Sequence, residues 1–310
     1  MDVVTPPRTI ASSDRRPPRG PLRVVAGPSA LRRWAVVSLV MNIVIVVTGA
    51  LVRLTASGLG CPTWPKCSDA SYVTHPELGI HGLIEFGNRM LTFVLIIAAV
   101  LTFVSALLYR ENDRARRDLR WLTGGMLFGI PFQGVIGGIT VLTQLNPYVV
   151  ALHLILSMVL IALSVWLVRK TRHCTATVVA TRWAIATRAT FVLMWIAVWL
   201  GTIVTGSGPH AGDANAPRTG LIVEPVAHVH AAFVYAAIAL TVLCVIGLRS
   251  RAAMLLVAVE VVQAAIGLTQ YHLGLPIVLV ALHLLGASLA IAATTNLMLS
   301  TEAPPHGDVR

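Results

Sequence analysis

Polar and apolar positions along this chain fall into long blocks. Eight blocks are almost wholly apolar: 35–54, 82–108, 121–142, 148–168, 189–205, 225–248, 252–271 and 277–299. A bilayer core needs ~20 apolar residues of helix to cross it, and all but the fifth block reach that length. A lone strand cannot satisfy its backbone in lipid, so each block predicts a transmembrane helix. The fifth is short. The seventh is interrupted by Glu260 and Gln263, which read as polar contacts between helices and receive no further role. The arm ahead of the first block, 1–34, holds seven arginines among Pro, Ser and Gly and reads as disordered. The first block runs on into a loop without a small-residue cleavage pattern, so it reads as an uncleaved span rather than a signal peptide.

Composition sharpens this. Hydrophobic residues make up 56% and charged residues 12%, about half the ~25% charged of a soluble domain. That excludes a soluble globular enzyme, a disordered chain and a disulfide-rich scaffold. Any chemistry must then lie within the bilayer or at its edge. The net charge of +11 raises the question of nucleic acid, but the basic residues punctuate apolar runs and form no stripe on a folded face. Their placement instead sets topology. Twenty of the 24 lie in the arm, in 109–120, in 169–188, in the turn 249–251 and in the tail; Arg53, Lys66, Arg89 and Arg218 lie on the opposite side. An even number of spans with both termini cytoplasmic, in the plasma membrane, satisfies this split.

The chain repeats itself. Gln133-Gly-Val-Ile-Gly137 precedes ALHL at 151–154, and Gln263-Ala-Ala-Ile-Gly267 precedes ALHL at 281–284, with every matched position 130 residues apart. VTGALVRLTASG (47–58) is echoed by VTGSGPHAG (204–212). The expected fold class is therefore an all-α polytopic membrane protein, its eight helices forming two pseudo-symmetric four-helix bundles. The N-terminal half is 35–168 and the C-terminal half 189–299, joined by a cytoplasmic linker at 169–188 and followed by a tail at 300–310. Four spans per half make the repeat parallel.

Eight of the ten histidines fall on the outer side: His75, His81, His153, His210, His228, His230, His272 and His283. His81, His153, His228, His230 and His283 sit near the outer ends of even-numbered helices. Ionisable groups within spans are rare and usually functional. Zinc sites add Cys or carboxylate at close spacing, and no such motif occurs. One His from each of two facing helices suits bis-His haem iron in a four-helix bundle, so two halves predict two haem sites near the outer face. Glu85, with His81 at i−4 and Asn88 and Arg89 beyond it, shares one helix face. It reads either as an ion pair with Arg89 or as a carboxylate set for proton transfer to a bound substrate. The second half has VAHVHA (226–231) there and no carboxylate. The first half is thus the candidate for catalysis, and the second for a permanent cofactor. Cys61 and Cys67 frame CPTWPKC in the first outer loop, as a disulfide or as two thiols. A disulfide there would staple the loop or exchange electrons with an external thiol–disulfide donor. Arg53 and Arg89 read as interfacial arginines or as partners for haem propionates. Trp64 and Tyr148 read as interface anchors.

VTGALVRLTASGLGCPTWPKC (47–67), IEFGNR (84–89), the paired ALHL segments and VTGSGPHAGD (204–213) together resemble the haem A synthase family. The resemblance implies an oxidoreductase that turns the C8 methyl of haem O into a formyl group, for haem–copper oxidase assembly. The route it implies is two successive hydroxylations and loss of water. It implies haem O in the first half and haem b in the second. It assigns His153, His283 and His230 or His228 as iron ligands, with His230 favoured because VHAA opens the helix's main apolar run. Glu85 matches the family's essential carboxylate, and Cys61 with Cys67 its redox-active pair. One departure matters: the family often has Glu-x-x-His-Arg where this chain has Glu85-Phe-Gly-Asn88-Arg89. Either His81 replaces the missing ligand, or the substrate iron is held by His153 alone with one face open. Haem O synthase is the expected donor, because haem O is too apolar to cross water freely. The alternative is a di-haem b cytochrome in quinone-linked electron transfer, which leaves Glu85 without a job.

Overall fold

The computed structural model describes residues 24–111 and 114–304. Eight helices dominate it: α1 (Pro28–Leu54), α2 (Gly79–Leu108), α3 (Arg117–Leu142), α4 (Pro147–Thr171), α5 (Thr181–Ser207), α6 (Val223–Leu248), α7 (Arg251–His272) and α8 (Ile277–Met298). All eight are long and apolar enough to cross a membrane. Local chemistry sets their ends. Proline occupies the first turn of α1 and α4, where its missing N–H costs nothing. The Asn146 side chain caps α4 and Ser250 caps α7. Within the spans, Thr102, Thr123, Ser164, Thr241 and Thr295 each donate to the carbonyl four residues earlier, which lets a hydroxyl sit in an apolar bundle.

Several helices overrun the apolar blocks. α1 begins at Pro28, inside the expected arm, and Trp34 Nε1 donates to the Val24 carbonyl at 2.7 Å. The rest of that arm, residues 1–23, lies outside the described residues. α5 runs 181–207 where hydropathy marks 189–205, so the linker shortens to 172–180. Hydropathy reports where a helix meets hydrocarbon, and Arg182 and Arg188 extend α5 beyond that limit. Between α2 and α3, β1 (Arg110–Glu111) pairs antiparallel with β2 (Arg114–Ala115), and the tail is tied down where β4 (Thr301–Glu302) pairs in parallel with β3 (Thr177–Val178). Residues 305–310 lie outside the described residues.

The helices close into two rings, α1–α2–α3–α4 and α5–α6–α7–α8. In each ring the second helix stands diagonally across from the fourth. The rings meet through α1, α4, α5 and α8, and the main buried cluster (Val46, Met158, Ile161, Met194, Ile291, Leu297) draws on both. One end of the molecule, the disulfide face, carries the loop with Cys61 and Cys67. The other, the basic face, carries Arg116, whose guanidinium is held above its usual pKa by hydrogen bonding to Asp118 and Glu111.

Candidate functional site

The loop after α1 folds onto the second turn of α2. Cys61 and Cys67 are bonded, and both are fully buried. Beneath them Glu85, 5% exposed, accepts the Cys61 N–H on Oε2 at 2.7 Å. Its Oε1 accepts from Arg89 Nε at 3.1 Å and Nη2 at 2.6 Å. Arg89 also donates to three loop carbonyls: Cys61 and Thr63 at 3.0 Å and Lys66 at 3.1 Å. Carboxylate, guanidinium and disulfide loop are therefore one assembly. The Glu85–Arg89 pair is present, and Glu85 also lines the cavity below.

That cavity, about 730 Å³, lies in the first ring. Its polar lining includes Asn42, Arg53, Glu85, Asn88, Arg89, Gln133 and His153; the remainder is mostly apolar. Trp64 reaches in from the loop and packs on the backbone of Gly138, where any Cβ would strike the indole. The His153 ring lies against Gly137, whose added Cβ would meet Cε1 at 3.2 Å. Gln133 Nε2 donates to the His153 carbonyl at 3.0 Å and to Ser157 Oγ at 2.6 Å. A donor to a carbonyl must be nitrogen, so Gln133 Oε1 is left without a partner, as is Asn88 Oδ1.

The second ring repeats this scaffold. Gln263 Nε2 donates to the His283 carbonyl at 2.9 Å, and His283 Cε1 lies 3.2 Å from a Cβ built on Gly267. On the diagonal helix, His230 Nδ1 bonds the Ala197 carbonyl at 2.9 Å, and its ring lies over Gly201. In the first ring the side chain beside the matching glycine, Gly49, is Asn88. Asn88 thus holds the place of His230, and Ala227 holds that of Glu85. The echo read between 47–58 and 204–212 places Gly49 opposite Gly206, whereas packing pairs it with Gly201. Farther along, Gly58 N–H donates to the Gly212 carbonyl at 2.9 Å, so the two loops meet.

The donor chemistry fits an iron porphyrin. The carbonyl bond at His230 Nδ1 fixes the tautomer with Nε2 free, as an iron ligand requires. His153 and His283 have buried Nδ1 atoms without partners and rings seated on glycines. Among the described residues no three His, Cys, Asp or Glu side chains converge to make a metal cage of their own. His81 and His228 lie elsewhere. His81 Nδ1 is 2.9 Å from Ser57 Oγ, the residue is exposed, and it is not part of the cavity wall. His228 is exposed beside Tyr271. Arg53 lines the cavity and crosses to the second ring, donating from Nη2 to the Thr205 carbonyl at 2.8 Å, while its buried Nε has no partner. Trp64 is more than the interface anchor its composition suggests, and the Gly137–Gly138 pair was the signal for it. Asn42, buried on α1 and bonded to Ser164, gave no signal in one sequence.

The profile of a family described as cytochrome oxidase assembly protein matches residues 32–295. Similar curated proteins carry the name heme A synthase. One from Listeria welshimeri is 31% identical over 181 residues, 56% of this chain and 58% of that protein. One from Geobacillus thermodenitrificans is 33% identical over 116 residues, 37% of this chain and 34% of its own length. One from Bacillus pumilus is 29% identical over 131 residues, 42% and 41% respectively. The matches cover less than two thirds of the length of these relatives.

Proposed function

This chain belongs to the cytochrome oxidase assembly protein family, and on that premise we propose that it is a haem A synthase, oxidising the C8 methyl of haem O to a formyl group. The observation that carries the reading is the asymmetry between two otherwise matching rings. The second pairs His230 with His283, two imidazoles on diagonal helices, and suits a permanently bound haem b. The first pairs His153 with Asn88, adds Glu85, and encloses a cavity of about 730 Å³. An amide is a poor iron ligand, so substrate iron held by His153 keeps its opposite face open, and oxygen chemistry needs an open position. His81 bonds Ser57 and stands outside the cavity wall, which favours this over His81 as the replacement ligand.

Each residue has a stated job. His153 binds the substrate, its backbone held by Gln133. Arg53 and Arg89 are the cations near the cavity's outer end and suit the substrate's carboxylates. Glu85 holds or releases a proton at its carboxyl oxygens within the cavity wall. Trp64 and the disulfide loop cover the outer end and exclude water. Two hydroxylations of the methyl carbon, each a two-electron oxidation that requires an external oxidant, give an aldehyde hydrate, which loses water to leave the formyl group. The haem b of the second half supplies one-electron chemistry when bound. Membrane lipid surrounds the helices. The basic-residue split supports cytoplasmic termini and outward haem sites, and plasma-membrane residence goes with the proposed role in haem–copper oxidase assembly. Haem O synthase delivers the substrate, and an external thiol–disulfide donor acts on Cys61–Cys67.

The test is haem extraction and mass analysis after co-expression with a haem O source, for wild type and Glu85→Gln together. Haem A from the wild type, with haem O or a hydroxylated intermediate accumulating in the variant, supports the reading. Bound haem b with no haem A from either protein refutes it.

A further inference from the structure

Glu260 takes no part in the chemistry above. It lies on α7, is 2% exposed, and its Oε2 has no partner. Oε1 lies 3.0 Å from Thr241 Oγ1 on α6, whose one proton it shares with the Ala237 carbonyl. No cation pairs with it among the described residues. An unpaired carboxylate is strongly disfavoured in such a place; a protonated carboxyl is not. The repeat gives its position meaning. Ile130 is the first-half counterpart, and Ile130 lines the cavity. Glu260 therefore occupies the position from which the first ring faces its substrate. One turn outward on the same face is Gln263, which holds the His283 backbone.

A ladder of buried hydroxyl and thiol groups, each hydroxyl also bonded to a carbonyl of its own helix, lies between Glu260 and the basic face. Cys244, one turn from Thr241 on α6, is a buried neighbour of Glu260 and of Thr190 on α5. Thr187 is one turn beyond Thr190, and its Oγ1 is 2.7 Å from Thr301 Oγ1 in β4, at the basic face. Thr187, Thr190, Thr241 and Cys244 are fully buried. The first ring breaks this ladder. Its counterparts of Thr187, Thr241 and Glu260 are Ala35, Ala99 and Ile130, all buried and apolar. The titratable groups on the elements packed against α7 are Glu224, His228, His230, Tyr235 and Cys244 on α6, of which Cys244 is the one near Glu260, and His283 on α8, one level outward. Across the ring, α5 carries Arg182 and Arg188 near its basic end.

We propose that Glu260 is a proton-binding site of the second half, loaded from the basic face through this ladder as an electron reaches the haem held by His230 and His283. The proposal rests on the reading that the second half binds haem, but not on catalysis in the first. The single positive charge on the iron–porphyrin core of an oxidised haem would be the countercharge that Glu260 otherwise lacks. One electron removes that charge, and the Glu260 carboxylate takes one proton, forming an O–H bond. The electron stays on the haem, and its source is any low-potential reductant, dithionite in the assay.

The experiment is a redox titration of the purified holoprotein across pH, reading the haem signal that His283→Ala abolishes. In the wild type its potential falls as pH rises, approaching a tenfold change in equilibrium constant per pH unit, 59 mV for one electron. Glu260→Gln flattens that slope. Redox-difference infrared spectra of the wild type show a carboxylic C=O band that shifts in D2O and is missing from Glu260→Gln. Thr190→Val keeps the slope but delays the band. A wild-type potential independent of pH, with no carboxyl band, overturns the proposal without recourse to any variant. An unchanged slope in haem-replete Glu260→Gln also overturns it, and an undelayed Thr190→Val overturns the path. A protein that shows the slope yet makes no haem A refutes the proposed reaction and leaves this site standing. A protein with no second-half haem signal overturns both.

Discussion

Arg89→Met tests whether the guanidinium clamps the disulfide loop. Arg89 donates to the carbonyls of Cys61, Thr63 and Lys66 at 3.0, 3.0 and 3.1 Å. Bonds from a charged donor contribute about 1.5 kcal/mol each at the low end of their range, so three come to about 4.5 kcal/mol. The Arg89 side chain is 19% exposed, and water replaces part of each bond, which leaves about 3 kcal/mol. Both cysteines are fully buried, so a reductant reaches the disulfide only when the loop opens. At 1.4 kcal/mol per decade, Arg89→Met raises the population of the open loop, and the rate of disulfide reduction, about 100-fold. The assay is timed exposure to a dithiol, then thiol alkylation and mass measurement. The variant also strands the Glu85 carboxylate without its cation. Glu85→Gln removes that charge while still accepting the Cys61 N–H, so the double variant is reduced more slowly than Arg89→Met alone. Reduction of Arg89→Met within about threefold of wild type, or a double variant faster than the single, refutes the clamp.

Other outcomes follow from the same geometry. His230→Ala and His283→Ala each abolish the low-spin bis-imidazole signature in absorption and electron paramagnetic resonance spectra, whereas His153→Ala retains it. Gly267→Ala places a Cβ 3.2 Å from the His283 ring; it shifts that spectrum and costs about 1–3 kcal/mol in thermal or denaturant unfolding. Gly134→Ala, with nothing within 4 Å of its Cβ, leaves that spectrum unchanged and raises stability by about 0.5–1 kcal/mol. Gln133→Leu loses bonds to the His153 carbonyl and Ser157; it costs about 1 kcal/mol of stability and weakens haem O binding in a spectral titration.

The architecture was legible because lipid leaves the backbone few choices. A run of ~20 apolar residues in a bilayer has to be helical, and the Arg and Lys between the runs fixed their count and alternation. The 130-residue repeat was legible for a related reason. Gln133/Gln263 and His153/His283 make the same side-chain-to-carbonyl bond, and that bond needs both partners at one spacing. Helix ends were less so, because hydropathy is blind to the polar turns of α1 and α5 outside the hydrocarbon.

What only the tertiary structure decided is who faces whom across the rings. His81 and His228 have the right residue type and roughly the right depth, yet one is turned to Ser57 and the other to Tyr271. A helix shifts direction by about 100° per residue, so two residues separate a wall position from an outward one. Sequence alone could not choose between a Glu85–Arg89 pair and a cavity carboxylate. The folded chain makes Glu85 both, because the Cys61–Cys67 loop, from another part of the chain, covers one side of it. Along the chain Glu260 read only as a polar contact between helices, and its bond to Thr241 is one. Folding sets buried threonines of α5 and α6 and the Cys244 thiol near it, a juxtaposition that no local spacing encodes.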